Sequence, residues 1–237
     1  MQTLSQIDFT DMLYMFVPVS AVGYLYFRWC GDRITVFYAL LRMTSQLILI
    51  GYMLVYIFRS DASLIVVGIL TVMLVIASTI AVRTLKQKRF RDYIHAIVAL
   101  FVSLTIHLTL ITQMVLKITP WYNPMYTIPL AGMIYAVSMN AIALASERFF
   151  SEREQHTFEA ARSVAFKTAL IPVINSLFAV GLVSLPGLMT GQILSGVDPL
   201  IAVRYQIVVM LMLFGSAGTA AATYLWMVAK SESKISK

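Results

Sequence analysis

Residues 169–194 read ALIPVINSLFAVGLVSLPGLMTGQIL, a run without a single Asp, Glu, Lys or Arg. A helix needs about 20 apolar residues to cross a hydrocarbon layer about 30 Å thick, so this run is long enough to span a membrane. Its interior is unusual for a span. Pro172 and Pro186 each lack a backbone donor, and Gly187 loosens the chain beside the second proline. A helix interrupted at membrane depth must turn its freed carbonyls toward protein or a wet cavity, and broken helices recur at transport sites. A plain kink is the alternative reading. Asn175, Ser184, Pro186 and Gly187 are therefore candidates for a solute path.

The rest of the chain repeats the pattern. Of 237 residues, 59% are apolar and 12% charged, against about 45–50% and about 25% in average globular domains. Mean hydropathy is +0.82. The apolar residues fall into seven runs, at 12–27, 36–58, 62–82, 94–116, 125–145, 169–194 and 200–229. Each run is continuously apolar rather than alternating, so helices are expected, not barrel strands. The predicted fold class is all-α: a polytopic transmembrane helical bundle of about seven spans. Asp8 and Asp11 near the start do not resemble a positively charged leader. Cys30, the single cysteine, has no intrachain partner for a disulfide.

Basic residues orient the bundle. Arg28 and Arg33 occupy the first joint, and Arg83, Lys86, Lys88, Arg89 and Arg91 the third. Arg148, Arg153, Arg162 and Lys167 follow the fifth run; Lys230, Lys234 and Lys237 form the tail. With seven spans all of these share one side, which the positive-inside rule makes cytoplasmic. The N-terminus is then outside and the C-terminus cytoplasmic. The +7 net charge is a topology signal, and no nucleic-acid partner is expected. Arg59-Ser60-Asp61 reads as a tight turn between antiparallel spans.

The longest cytoplasmic joint, SERFFSEREQHTFEAARSVAF at 146–166, is helix-forming. Phe150, Phe158, Ala161 and Ala165 recur at spacings near three and four, opposite a Glu/Arg-rich face. Such a helix either lies at the headgroup surface or docks a cytoplasmic partner. The chain has no G-x-x-x-x-G-K-[ST], H-E-x-x-H or G-x-S-x-G, so the phosphate-loop, zincin and serine-hydrolase routes are excluded by motif. The last run carries no lysine for a retinal Schiff base.

Polar residues inside spans are costly and mark function. Arg42 and Gln46 lie four apart on one helical face; they line a cavity favouring an anionic or carbonyl-rich ligand, or Arg42 snorkels to the headgroups. His107 is a ligand or an interhelical hydrogen bonder, and Asn140 and Asn175 have the same two readings. A soft-metal site would require Met133, Met139 and Met189 to converge. Gly187 and Gly191, and the small run 215–222, suit close helix contact.

The block from Val180 to Gly196, followed by Val197-Asp198-Pro199 and by VRYQIVV at 203–209, resembles the FetB-type permeases of the UPF0014 family. Further matches are Ala169-Leu170-Ile171-Pro172 with Asn175-Ser176, IPLAGM at 128–133, Met139-Asn140-Ala141, and Arg42 with Gln46 ahead of Gly51-Tyr52. The family comprises membrane subunits of a small ABC-transporter group, including bacterial iron exporters and plant aluminium-tolerance proteins. The resemblance implies a single permease domain over 1–237, with 146–168 as docking segment. It implies a permease exporting iron or another metal across the cytoplasmic (inner) membrane, not an enzyme. ATP and Mg would be bound by a separate cytoplasmic ATP-binding cassette subunit, with two permeases pairing as a homodimer in membrane lipid. Phe150, Phe158, Glu159 and Arg162 would face that subunit. The docking joint is shorter than the family pattern, and Ala136-Val137 stand where the family has Gly-Asn. Carriage of a sugar nucleotide or metal chelate, and a non-transporting seven-helix receptor or assembly protein, are the alternatives. Metal ligands are not identifiable from the sequence.

Overall fold

The computed structural model describes residues 8–32, 34–57, 62–85 and 89–233. Every regular element among them is a helix. The expected turn Arg59-Ser60-Asp61, with Arg33, Lys86, Lys88, Lys234 and Lys237, lies outside the described residues. The chain divides into two compact units, Met1–Arg59 and Ser60–Lys237.

In the first unit a short helix α1 (Phe9–Met12) and a 3-10 turn lead into α2 (Phe16–Cys30). Gly31 stops α2: at φ 72° it adopts the left-handed conformation that only glycine takes cheaply, and its N–H reaches Phe27 O at 2.9 Å. Asp32 then caps α3 (Thr35–Ile57), its Oδ1 accepting from the N–H groups of Ile34 and Thr35 at 3.1 and 3.0 Å. α2 has 15 residues, too few to cross the hydrocarbon unaided. Among the described residues of this unit, only α3 is long and apolar enough.

The second unit holds α4 (Ser63–Ala81), α5 (Phe90–Thr109), α6 (Pro124–Arg153), α7 (Phe158–Ala179), α8 (Gly187–Leu194) and α9 (Pro199–Ser233). A π turn, Leu110–Val115, prolongs α5. Asn123 caps α6, accepting from Met125 N–H at 3.1 Å, with Pro124 at the first helical position, where its missing donor costs nothing. Among the described residues five helices are continuous, apolar and long enough to span: α3, α4, α5 with its π turn, α6 and α9. Two of the seven expected runs therefore differ. The run at 12–27 falls mainly on the short α2. The run at 169–194 is no single helix but the second half of α7, a non-helical segment at 180–186, and α8.

The core of this unit is built on small residues. Ala96, Ala99, Ala131, Ala145, Ala161, Ala165, Ala220 and Ala221 are buried between α5, α6, α7 and α9, which lets the backbones approach where lipid supplies no hydrophobic drive. Three buried serines cross-link the helices at one level. The hydroxyls of Ser103 and Ser138 donate to the carbonyl of Ser216 at 2.9 and 3.2 Å, and lie 3.2 Å from each other. From that level, 13 to 15 residues (about 20 Å at 1.5 Å per residue) lead to the start of α5, the end of α6 and Ser231 on α9. Ser231 meets His95 Nε2 at 3.2 Å. The described basic residues Arg89, Arg91, Arg148, Arg153 and Lys230 thus collect at one end of the unit. That is the distribution expected of a cytoplasmic face.

Candidate functional site

The polypeptide of the sixth run breaks at a definite place. α7 carries Pro172 without ending, and Pro172 O accepts the Ser176 hydroxyl at 3.0 Å. The helix stops at Ala179, after which Val180 is extended and Gly181 has φ 90°. Ala179 O then receives the N–H groups of Val183 and Ser184 at 2.8 and 3.1 Å, and Gly181 N–H donates to Ser184 O at 2.9 Å. Pro186 is extended and sits at the N-cap of α8, where the hydroxyl and N–H of Thr190 return to its carbonyl at 3.1 and 3.0 Å. The expectation that Pro186 removes a donor from within a helix is corrected: Pro186 precedes a helix, and the preceding helix has already ended seven residues earlier, at Ala179, just before Gly181's positive φ.

Beside this break lies a cavity of about 530 Å³, walled by α6, α7, the 180–186 segment and α9. Val137 on its wall is 13 residues into α6, about 20 Å from that helix's start, and Met210 is 11 residues into α9, about 16 Å along. The cavity is therefore at membrane depth. Its polar groups are Asn140, Asn175, Ser176 and Ser184; the remaining lining is apolar. None of its lining residues is ionisable. Among the described residues no three His, Cys, Asp or Glu side chains group together. Amide and hydroxyl oxygens with one thioether, from Met210, form a neutral donor set, suited to hydrogen-bonding a solute that keeps its own charge neutralised.

The structure gathers four of the sequence candidates, Asn140, Asn175, Ser184 and Pro186, around this cavity. Gly187 adjoins it as the first residue of α8. His107 is elsewhere: its Nδ1 is 2.9 Å from Ser103 O, and its ring packs against Gly215 of α9. Met133 and Met139 pack against the core; six residues apart on α6, they point about 120° apart around its axis, so they do not converge with each other. Arg42, half-buried, and Gln46, exposed, belong to α3 in the first unit. Sequence reasoning missed Ser176, Met210 and Leu213 as lining residues. Ser176 stood next to a named asparagine and was legible; the apolar positions carry no mark that separates cavity from lipid. Val137, one of the two departures from the family pattern, falls on the cavity wall.

The expected docking joint is no separate surface helix. It is a hairpin made by the end of α6 and the start of α7, turned through 154–157. Thr157 caps α7, its hydroxyl accepting from Ala160 N–H at 3.4 Å. Phe149, fully buried, is the hub: its ring lies 5.5 Å from Phe150 and 5.3 Å from Phe158. Phe150 and Phe158 are thus partly buried pins of the hairpin, whereas Glu159 and Arg162 are exposed, Arg162 lying 5.8 Å over the Phe158 ring. Glu152 bridges Arg148 at 2.6 Å and His156 Nδ1 at 3.1 Å.

The family profile UPF0014, described as an uncharacterised protein family, matches residues 10–232. The chain is 33% identical over 228 residues to the UPF0014 membrane protein slr1647 of Synechocystis sp., covering 89% of this chain and 88% of that protein. It is 35% identical over 204 residues to the probable iron export permease protein FetB of Escherichia coli, covering 78% and 76%. It is 29% identical to the protein ALUMINUM SENSITIVE 3 of Arabidopsis thaliana, covering 78% and 72%. No solved structure matches this chain.

Proposed function

The chain belongs to the UPF0014 family of multi-pass membrane proteins, and from that premise we propose that it is the permease subunit of an ABC transporter that exports iron or another metal. The observation that carries this reading is the neutral cavity at membrane depth beside a broken helix, directly above a rigid helical hairpin on the basic face. A separate cytoplasmic subunit binds ATP and Mg and docks on the exposed side of that hairpin, at Glu159 and Arg162. Closure of the ATPase pair displaces the hairpin. From Phe158 to Pro172 is 14 residues, about 21 Å of unbroken helix, so the displacement arrives at Asn175 and the 180–186 segment undiminished. The cavity is thereby exchanged between two openings.

The cavity chemistry favours one form of cargo. A bare divalent or trivalent ion loses its hydration on entry and seeks carboxylate or imidazole ligands, whereas this lining offers amides and hydroxyls. A metal chelate with its charge already neutralised satisfies the same walls, and a sugar nucleotide would need a cation from elsewhere. Pull-down of the full chain from mild detergent, followed by ATPase assay of the assembly in liposomes, tests the reading. A copurifying ATP-binding subunit stimulated by metal or chelate is the expected result. A chain that purifies alone, with no nucleotide-dependent flux, would overturn it.

A further inference from the structure

α8 and α9 form a helical hairpin. Only residues 195–198 separate them. Val197 N–H returns to Gln192 O at 3.0 Å, Gly196 turns the chain at φ 89°, and Asp198 Oδ1 caps α9 by accepting from Leu200 N–H at 2.8 Å. The two helices pack on each other, so residues equally far from the turn share a level. Pro186 and Met210, 13 and 11 residues from Pro199, bear this out, since both line the cavity. Gln192 and Gln206, each seven residues from Pro199, stand one level further out. On α9, Gln206 heads the stripe 206, 210, 213 and 217, whose other three members are cavity wall, and it lies about 6 Å beyond Met210. Lys230 on the basic face is 24 residues, about 36 Å, away. A hydrocarbon layer about 30 Å thick therefore places the two glutamines at its outer edge.

Among the described residues, Oε1 of Gln192 and Oε1 of Gln206 are buried and accept no hydrogen bond. Gln206 as a whole is only 6% exposed. The polar groups nearby are engaged elsewhere. Thr190 Oγ1 donates to Pro186 O at 3.1 Å. On α5, Thr112 is nine residues past the serine level, as Gln206 is ten on α9; its hydroxyl donates to Leu108 O at 2.7 Å and takes the Gln113 amide N–H at 3.3 Å. At this level α5 also opens into its π turn, a deviation that recurs at functional sites. A leucine of similar length would fill either glutamine position and leave no orphan, so two unpaired amides at the mouth of a cavity are costly unless something that passes there pairs them. We propose that Gln192 and Gln206 form a second binding station at the outer mouth of the solute path, where their amide oxygens accept hydrogen bonds from hydroxyl groups on a neutral metal chelate. What both positions lack is a donor. Two neutral oxygens are too few to replace the water shell of a hard cation, whereas each takes one O–H directly. This station deepens the permease reading above and rests on it for the class of cargo.

The test compares two iron probes on the full chain in mild detergent. Ferric tris(kojate) and ferric tris(allomaltolate) are neutral complexes with the same iron ligation; the first carries a hydroxymethyl group on each ring where the second carries a methyl. Binding of each, labelled with radioactive iron, is read by equilibrium dialysis with empty micelles subtracted. The expected result is that the wild type binds the kojate complex about tenfold more tightly, the scale of one or two net hydrogen bonds. Gln192→Leu and Gln206→Leu should each lose most of that preference while keeping the wild-type affinity for the allomaltolate complex. Both variants should melt at or above the wild-type temperature, because each removes an unpaired buried amide. Equal wild-type affinities for the two complexes, a preference unchanged in both variants, or binding of neither complex overturns the proposal. So does a lower melting temperature in both variants, which would make the amides structural bonds. None of these outcomes touches the permease reading, which is judged by the copurifying ATPase and nucleotide-dependent flux. Loss of those with the preference intact would leave a hydroxyl-recognising site and no pump.

Discussion

Gly215→Ala adds one methyl group to α9 at the place where α5 comes closest. The new Cβ would lie 2.6 Å from His107 Nε2 and 3.1 Å from its Cδ2, well inside contact distance. His107 cannot simply swing aside, because its Nδ1 is held 2.9 Å from Ser103 O. Either the helices separate or that hydrogen bond is lost. Overpacking a well-filled interface costs about 1–3 kcal/mol, or the lost bond about 0.5–1.5 kcal/mol, against about 0.5–1 kcal/mol gained by exchanging glycine for alanine in a helix, so a net penalty of about 1–2 kcal/mol is expected. Gly218→Ala is the internal control on the same helix. Its Cβ meets nothing within 4 Å, and exchanging glycine for alanine in a helix gains about 0.5–1 kcal/mol. At about 2–4 °C per kcal/mol for a chain of this size, the two variants should melt on opposite sides of the wild type and several degrees apart. Thermal unfolding in detergent, followed by tryptophan fluorescence, reads this directly. The double variant His107→Ala/Gly215→Ala should recover much of the loss, since the clash has a single partner. A Gly215→Ala protein as stable as Gly218→Ala would refute the close approach of α5 and α9.

Phe149→Ala should destabilise by about 3–5 kcal/mol, the cost of emptying a buried aromatic site, seen as a large fall in melting temperature. Glu159→Lys or Arg162→Glu, on the exposed side of the same hairpin, should leave melting unchanged yet lose the copurifying ATPase; normal copurification would remove them from the docking surface. Asn140→Asp should lower flux of a neutral chelate at least tenfold through the unpaired charge (about 1.4 kcal/mol per tenfold step), measured as ATP-dependent uptake into inverted vesicles. A rise in flux of the bare ion in that variant would instead favour an uncomplexed cation. Arg42→Ala and Pro186→Ala should insert normally and transport poorly; wild-type rates in both would exclude them from the mechanism.

Sequence length and apolar content were enough to read the helical class, because a hydrocarbon slab imposes a length that no local packing overrides. Where the reading stopped short, the missing information was three-dimensional. Pro186 was conspicuous in the sequence, but the helix ends at Ala179, because Gly181 takes a positive φ and the Ala179 carbonyl gathers the next N–H groups. The contact of His107 with Gly215 joins residues more than one hundred positions apart, and no periodicity announces it. Ser103, Ser138 and Ser216 are ordinary residues in apolar helices until the fold sets them at one level. In the hairpin, three-and-four spacing identified the inward face correctly, since Ala161 and Ala165 are buried and Phe150 and Phe158 partly so, but it did not find the hub: Phe149, unremarked in the sequence, is fully buried, and the phenylalanines that were noticed lean on it.

The serine level also restricts how the unit can move. Three helices hydrogen-bonded at one height cannot slide past each other without breaking those bonds together, but they can tilt about that height while keeping them. A tilt of about 10° there carries the ends of α5, α6 and α9, about 20 Å away, through about 3–4 Å. The far halves swing the opposite way. The unit is in this sense a seesaw whose fulcrum is a single carbonyl, that of Ser216, and the cavity wall straddles it: Met210 and Leu213 on α9 lie beyond the fulcrum, whereas Asn140, Ala141 and Leu144 on α6 lie on the side of the basic face.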